Sequence, residues 1–241
     1  MLSLENYLSE NSAKSAFGAG IERLCECSLF AKRLLSNDAT LLEDLLENHD
    51  KVYTLNAMES FVKTFNISLV TEDRLFQKIL RKLRQRVMLR VMYRDLNGLA
   101  TLQEVIETVS YLAEYAINTA IEFHHLKLVE QYGEPWNVKQ QPVSLIVVGM
   151  GKLGGFELNV SSDIDLIFSY AEDGETNHQE PTQRISNHDF FMKLGKKIIR
   201  AIDENTEDGF VFRVDMRLRP FGSEGALVSS VEALEDYYQN N

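Results

Sequence analysis

Two aspartates one residue apart, Asp163 and Asp165, sit at the head of an apolar run, Ile164-Asp165-Leu166-Ile167-Phe168. On a strand, side chains alternate between the two faces at a rise of about 3.3 Å per residue. Both carboxylates therefore share one face, about 6.6 Å apart at Cα, while Ile164, Leu166 and Phe168 share the other. Carboxylates held together beside an apolar layer repel each other and lose solvation. A divalent cation relieves both costs, and hard oxygen ligands suit Mg²⁺. The pair predicts a metal-dependent site for a phosphorylated ligand.

A second alternating run supplies a third carboxylate. Phe212, Val214, Met216 and Leu218 point one way, and Arg213, Asp215, Arg217 and Arg219 the other. Alone, that pattern reads as a structural salt-bridge ladder. Beside Asp163 and Asp165 it reads as part of the site, because three carboxylates on neighbouring strands hold two Mg²⁺ ions and flanking arginines grip phosphate oxygens. Gly149-Met150-Gly151-Lys152-Leu153-Gly154-Gly155 precedes the aspartates. Glycines at 151, 154 and 155 let backbone N–H groups approach a phosphate, and Lys152 adds a point charge. The run lacks the Gly-Lys-Ser/Thr ending of a P-loop and matches a dinucleotide fingerprint only through Gly149, Gly151 and Gly154. A plain structural turn is the competing reading. Ser161 and Ser162 read either as phosphate donors, Ser162 being the candidate, or as turn residues ahead of a strand. His124 and His125 have no partner at zinc-ligand spacing, and His49, His178 and His188 belong to no constellation.

These residues need strands to hold them and helices to cover the strands. Strands are predicted at 144–149, 163–170 and 210–218, and helices at 187–203 and 230–239. The stretch 171–186 is polar and rich in turn formers, and predicts a mobile loop. Residues 1–97 read as helical. Leu34, Leu35, Leu41, Leu42, Leu45 and Leu46 form one stripe, with Thr40 and Glu43 as a capping box. Further helices are predicted over 50–66 and 71–95, and Asn97-Gly98 breaks the pattern. Thr101 with Glu104 opens a long helix, with Leu102, Val105, Val109, Leu112, Ala116, Ala120, Phe123 and Leu126 on one side and Gly133-Glu134-Pro135 at its end. The helix over 71–95 carries Arg81, Lys82, Arg84, Arg86, Arg90 and Arg94, read as a solvated face balancing nearby acids or as a docking surface.

The 241 residues include 25 basic and 36 acidic side chains, a net charge of −11, which argues against binding nucleic acid through its backbone. No apolar run approaches the roughly 20 residues of a membrane span, and the N-terminus has neither the basic nor the apolar segment of a secretory signal. Cys25 and Cys27 lie two residues apart and diverge on a helix, so a reducing cytoplasm is the expected compartment.

Glycines, then Asp-x-Asp on a strand, then a lone Asp on a later strand resembles the nucleotidyltransferase superfamily that includes DNA polymerase β. Two longer blocks narrow the resemblance: 149–168, containing Glu157-Leu158-Asn159-Val160-Ser161-Ser162-Asp163-Ile164-Asp165, and 208–230, containing Arg213-Val214-Asp215-Met216-Arg217-Leu218-Arg219-Pro220-Phe221-Gly222. Both look like the bifunctional glutamine synthetase adenylyltransferase/adenylyl-removing enzymes. That family joins two nucleotidyltransferase modules, one removing AMP from a tyrosine of glutamine synthetase by phosphorolysis and one attaching it from ATP. The wording of the blocks, behind a helical N-terminus, is closer to the removing module.

The resemblance implies an α+β fold, with a helical region over 1–97 and a nucleotidyltransferase domain with a small mixed sheet over 98–241. It implies that Asp163, Asp165 and Asp215 are the catalytic metal ligands for Mg²⁺, two ions in all. Gly151, Lys152, Gly154, Gly155, Ser162, Arg217 and Arg219 are the expected contacts to the phosphate-bearing ligand. Glutamine synthetase, a PII signalling protein and phosphate with ADP, or ATP, are the implied partners. Ending at Asn241, the chain is expected to be a truncated form. Removal, attachment and a non-catalytic binding role all remain open at this point.

Overall fold

The computed structural model describes residues 3–11 and 15–240. The chain divides into two compact units, one built from residues up to Leu112 with Leu158–Ser161, the other from Ala113–Glu157 and Ser162 onwards. The α+β class expected from the sequence is what the structure has.

The first unit is helical: α1 Leu4–Asn11, α2 Ala16–Cys27, α3 Leu29–Asn37, α4 Ala39–Asn48, α5 Leu55–Lys63, α6 Asp73–Leu96 and the start of α7 Leu102–Tyr132. Short polar side chains set the starts, because a helix leaves its first N–H groups unbonded. Ser15 accepts from Gly18 N, Ser28 from Ala31 N, Asp38 from Thr40 N and Thr54 from Ala57 N. The leucine stripe is thus divided between α3 and α4. Asp38, and not Thr40, is the cap, and Thr40 Oγ1 donates to it at 2.7 Å. Leu35, Leu41, Leu42 and Leu45 are still buried, so the split changes the backbone and keeps the face. The helix expected over 50–66 begins only at Leu55, where Thr54 caps it.

The basic residues of α6 do balance nearby acids, but not on a solvated face. Arg81, Arg90 and Arg94 are buried. Asp44 on α4 takes Arg86 and Arg90 at 3.0 Å each, Glu104 takes Arg94 at 2.6 Å, and Asp38 takes Lys82 at 3.1 Å. α6 lies among α2, α4 and α5, so its charges meet carboxylates from other helices before they meet water. Burial pulls Arg84 down to about 10.

α7 starts where Thr101 Oγ1 accepts from Glu104 N and stops at Gly133, whose φ of +82° suits glycine. Val105, Val109, Leu112, Ala116, Ala120 and Phe123 are buried as expected. Leu102 and Leu126 are exposed instead. Leu102 is the first helical residue, and two three-residue steps after Ala120 rotate Leu126 off the common face.

The second unit carries the sheets, from β1 Pro135–Asn137, β2 Leu145–Met150, β3 Ile164–Tyr170, β4 Gly174–Thr176, β5 Val214–Asp215 and β6 Val228–Ser230. β1 and β4 form an antiparallel pair. β3 is the centre of a mixed sheet, antiparallel to β2 and parallel to β5 at its start and to β6 at its end. α9 Asn187–Asp203 packs on β6 and buries Phe190, Phe191, Leu194 and Ile198. Gly195 permits that approach: a Cβ there would lie 2.9 Å from Phe168 Cδ2 and 3.2 Å from Val228 Cγ2. α8 Gly151–Gly154 is a single turn after β2, and α10 Val231–Asn240 follows β6.

Two expectations fail here. The stretch 171–186 is not a plain loop: it contains β4 and a 3₁₀ turn at Pro181–Gln183, and Thr176 is buried with Oγ1 accepting from Ile185 N. The strand expected over 210–218 shrinks to Val214–Asp215. Asp215 Oδ1 accepts from Arg217 N at 2.8 Å, which turns the backbone out of the extended state one residue after the carboxylate. Phe212 and Met216 keep their buried positions, but Leu218 falls in the turn and is exposed.

Candidate metal and phosphate site

The register of the central sheet assembles the carboxylates. Asp165 on β3 is paired directly with Asp215 on the parallel strand β5, and with Met150 at the end of β2. Residues directly opposite each other point to the same face, so Asp165 and Asp215 share one. Asp163 precedes β3 by one residue, and the adjoining Ile164 N donates to Arg213 O at 2.9 Å. β5 is pinned from below, since Val214 N donates to Asp203 Oδ1 at the end of α9.

The glycine run is one helical turn folded against this pair. Gly151 has φ +54°, and a Cβ on it would stand 2.8 Å from Asp165 Oδ2. Its lack of a side chain makes room for that carboxylate. Gly154 backs onto Gly149, where a Cβ would come within 2.6 Å of the carbonyl oxygen, while Gly155 has no neighbour closer than 3.6 Å. Lys152 is exposed and Ser162 half-buried. A cavity of about 340 Å³ beside the turn is lined by Glu114, Asn118, Val147, Gly149, Gly154 and Leu166, among others. Gly149 pairs with Leu166, so by strand alternation the cavity lies on the sheet face opposite Asp165.

The arginines neutralise the acids. Arg213 Nε donates to Asp163 Oδ1 at 2.7 Å. Arg217 Nε donates to the two oxygens of Asp215 at 3.0 and 2.8 Å. The Arg217 hydrogen bonds hold the Asp215 carboxyl below its ordinary range. Arg217 is itself pushed up, first by its bond to Asp215 and further by the charges of Asp165 and Asp163. Arg219 is engaged elsewhere: its guanidinium donates to Met216 O, Ser223 O and Gly225 O and staples the following turn.

The paired carboxylates of Asp165 and Asp215 are hard oxygen donors of the kind Mg²⁺ prefers. No group of three or more His, Cys, Asp or Glu side chains among the described residues is gathered closely enough to hold a metal ion. The family model for glutamate-ammonia ligase adenylyltransferase matches residues 19–241.

The chain belongs to the glutamate-ammonia ligase adenylyltransferase family. Three proteins carrying the name bifunctional glutamine synthetase adenylyltransferase/adenylyl-removing enzyme illustrate the likeness. That of Nitrosomonas eutropha is 45% identical over 214 residues, covering 88% of this chain and 23% of the relative. That of Pseudomonas aeruginosa is 42% identical over 221 residues, covering 90% and 22%. That of Nitrosococcus oceani is 49% identical over 176 residues, covering 73% and 18%. The chain spans less than a quarter of the length of these relatives.

Within this member of the adenylyltransferase family, the structure pairs Asp165 with Asp215, sets Gly151 against Asp165 and Arg217 on Asp215, and commits Arg219 to its own turn. Sequence reasoning counted Arg213 among the arginines flanking Asp215 without singling it out. Its signal was present: it occupies the same alternating face as Asp215. No helix of the described residues is long and apolar enough to cross a membrane.

Proposed function

We propose that this chain is an adenylyl-removing module, acting on the adenylylated tyrosine of glutamine synthetase by metal-dependent phosphorolysis. The observation that carries the reading is the direct pairing of Asp165 with Asp215 on parallel strands, with Gly151 opening space for the Asp165 carboxylate. Asp163, Asp165 and Asp215 would hold Mg²⁺, which when bound neutralises phosphate charge. Inorganic phosphate attacks the α-phosphorus of the AMP–tyrosine diester, the bond to the phenolic oxygen breaks, and ADP and tyrosine leave. Phosphate is already a competent nucleophile, so positioning and charge neutralisation carry most of the catalysis. Lys152 and Ser162 stand beside the carboxylates in sequence as phosphate contacts. The choice of removal over attachment rests on the wording of 149–168 and 208–230, since the same carboxylates serve either direction. A PII signalling protein is the proposed regulator, and the reducing cytoplasm the proposed compartment, in keeping with the free thiols of Cys25 and Cys27.

Two mixtures test the direction. Adenylylated glutamine synthetase with Mg²⁺ and phosphate should release ADP in a phosphate-dependent manner. Unmodified synthetase with Mg²⁺ and ATP should stay unlabelled. AMP incorporation with pyrophosphate release in the second mixture, and silence in the first, overturns removal in favour of attachment. Silence in both, with the synthetase still bound, leaves a non-catalytic binding module.

A further inference from the structure

The carboxylates of the site are not waiting empty-handed. Arg213 closes on Asp163 and Arg217 on Asp215. Both guanidinium groups are well exposed, at 63% and 81% of their side-chain surface. Ion pairs that exposed are easily exchanged, because water and salt replace most of what the partner supplies. Arg217 also lies within the field of all three aspartates, which is where a bound cation would lie. Arg219 differs in kind: its three bonds to backbone carbonyls hold a turn together.

We propose that Arg213 and Arg217 are exchangeable counter-cations, holding Asp163 and Asp215 until a divalent cation takes the carboxylates and then turning to the phosphate-bearing ligand. The inference rests on the reading of this site as metal- and phosphate-using. Its physical basis is charge. A divalent ion brings two charges to hard oxygen donors, and each guanidinium brings one. The released guanidinium is a planar fork whose parallel N–H groups match phosphate oxygens. Cation and phosphate ligand then bind with positive coupling, since each removes a competitor of the other. Arg213 and Arg217 are thus positioning residues for the empty site and ligand contacts for the loaded one. A purely structural role makes the opposite prediction: arginines that merely orient the carboxylates for the cation would weaken cation binding when removed.

The test is a Mn²⁺ titration of the 241-residue chain without nucleotide, in the parent, Arg213→Gln, Arg217→Gln and Asp165→Asn. The arginine variants should bind Mn²⁺ about two- to fivefold more tightly than the parent, as expected when a competing exposed ion pair is lost. That advantage should shrink as salt is raised. At saturating Mn²⁺ the same variants should bind ADP about tenfold more weakly. Mn²⁺ affinity equal to or below the parent's in both arginine variants overturns the exchange. Asp165→Asn separates the two levels. If the parent binds no Mn²⁺, or Asp165→Asn binds it as the parent does, the metal site itself is wrong and the exchange falls with it. If Mn²⁺ binding needs Asp165 but ignores the arginines, only the exchange is lost.

Discussion

Gly151→Ala should separate the stability of the fold from the competence of the site. At φ +54° an alanine pays the left-handed penalty, about 1–2 kcal/mol. Its Cβ would stand 2.8 Å from Asp165 Oδ2, well inside contact distance. The oxygen is the free end of a side chain, so it yields cheaply by rotating away, and little is added to the backbone cost. That rotation moves the carboxylate paired with Asp215. The melting temperature should fall by about 2–8 °C, from about 2–4 °C per kcal/mol in a chain of this size. Mn²⁺ affinity should fall at least about tenfold, and turnover about a hundredfold, the scale of a 1 Å misplacement in a catalytic constellation. Gly155→Ala is the matched control: its φ of −82° suits alanine and its nearest neighbour is 3.6 Å away. It should stay within about 0.5 kcal/mol of the parent and keep Mn²⁺ binding. Isothermal titration with Mn²⁺, beside thermal melts of both variants, reads the contrast. Parent-like Mn²⁺ affinity in Gly151→Ala, or equal losses in the two variants, refutes the placement of Asp165 against this glycine.

Arg219→Ala should cost about 1–3 kcal/mol in denaturant unfolding through three lost carbonyl bonds; weaker ADP binding at unchanged stability would instead make it a ligand contact. Gly195→Ala should destabilise by about 1–3 kcal/mol, because the new methyl meets Phe168 and Val228, both buried; a neutral or stabilising result by the same assay means that α9 can slide on the sheet. Burial pushes the Tyr53 phenol up to about 12, so its native pKa lies above its unfolded value. The stability this represents, about 2–3 kcal/mol, is complete below the ordinary tyrosine pKa of about 10 and is lost as pH rises towards 12. Phenolate absorbance should show Tyr53 ionising late or only with unfolding, and Tyr53→Phe should flatten the alkaline loss; early ionisation of every tyrosine contradicts the packing.

Local physics made much of this protein readable in advance. The 3.6-residue repeat located α6 and α7, because each carries apolar residues at helical spacing whatever lies against it. Errors fell where a polar residue had two local options. Thr40 had capping chemistry, but Asp38 two residues earlier accepts from Thr40 N and starts the helix there. Asp215 and Arg217 were read as neighbours on one strand face. The Asp215 carboxylate bonded the Arg217 N–H instead, and a turn replaced the strand.

By itself, the sequence determined that Asp165 opens an apolar strand, that a glycine turn precedes it and that helices precede both, since these follow from backbone geometry over a few residues. Only the tertiary structure decided that Asp165 lies opposite Asp215, that Gly151 abuts Asp165 and that Arg213 reaches Asp163 across 50 positions. Strand register and ion pairing depend on which distant segments meet. A run of alternating residues offers every partner equally until packing selects one, and here the packing set a cation beside Asp163 and another beside Asp215.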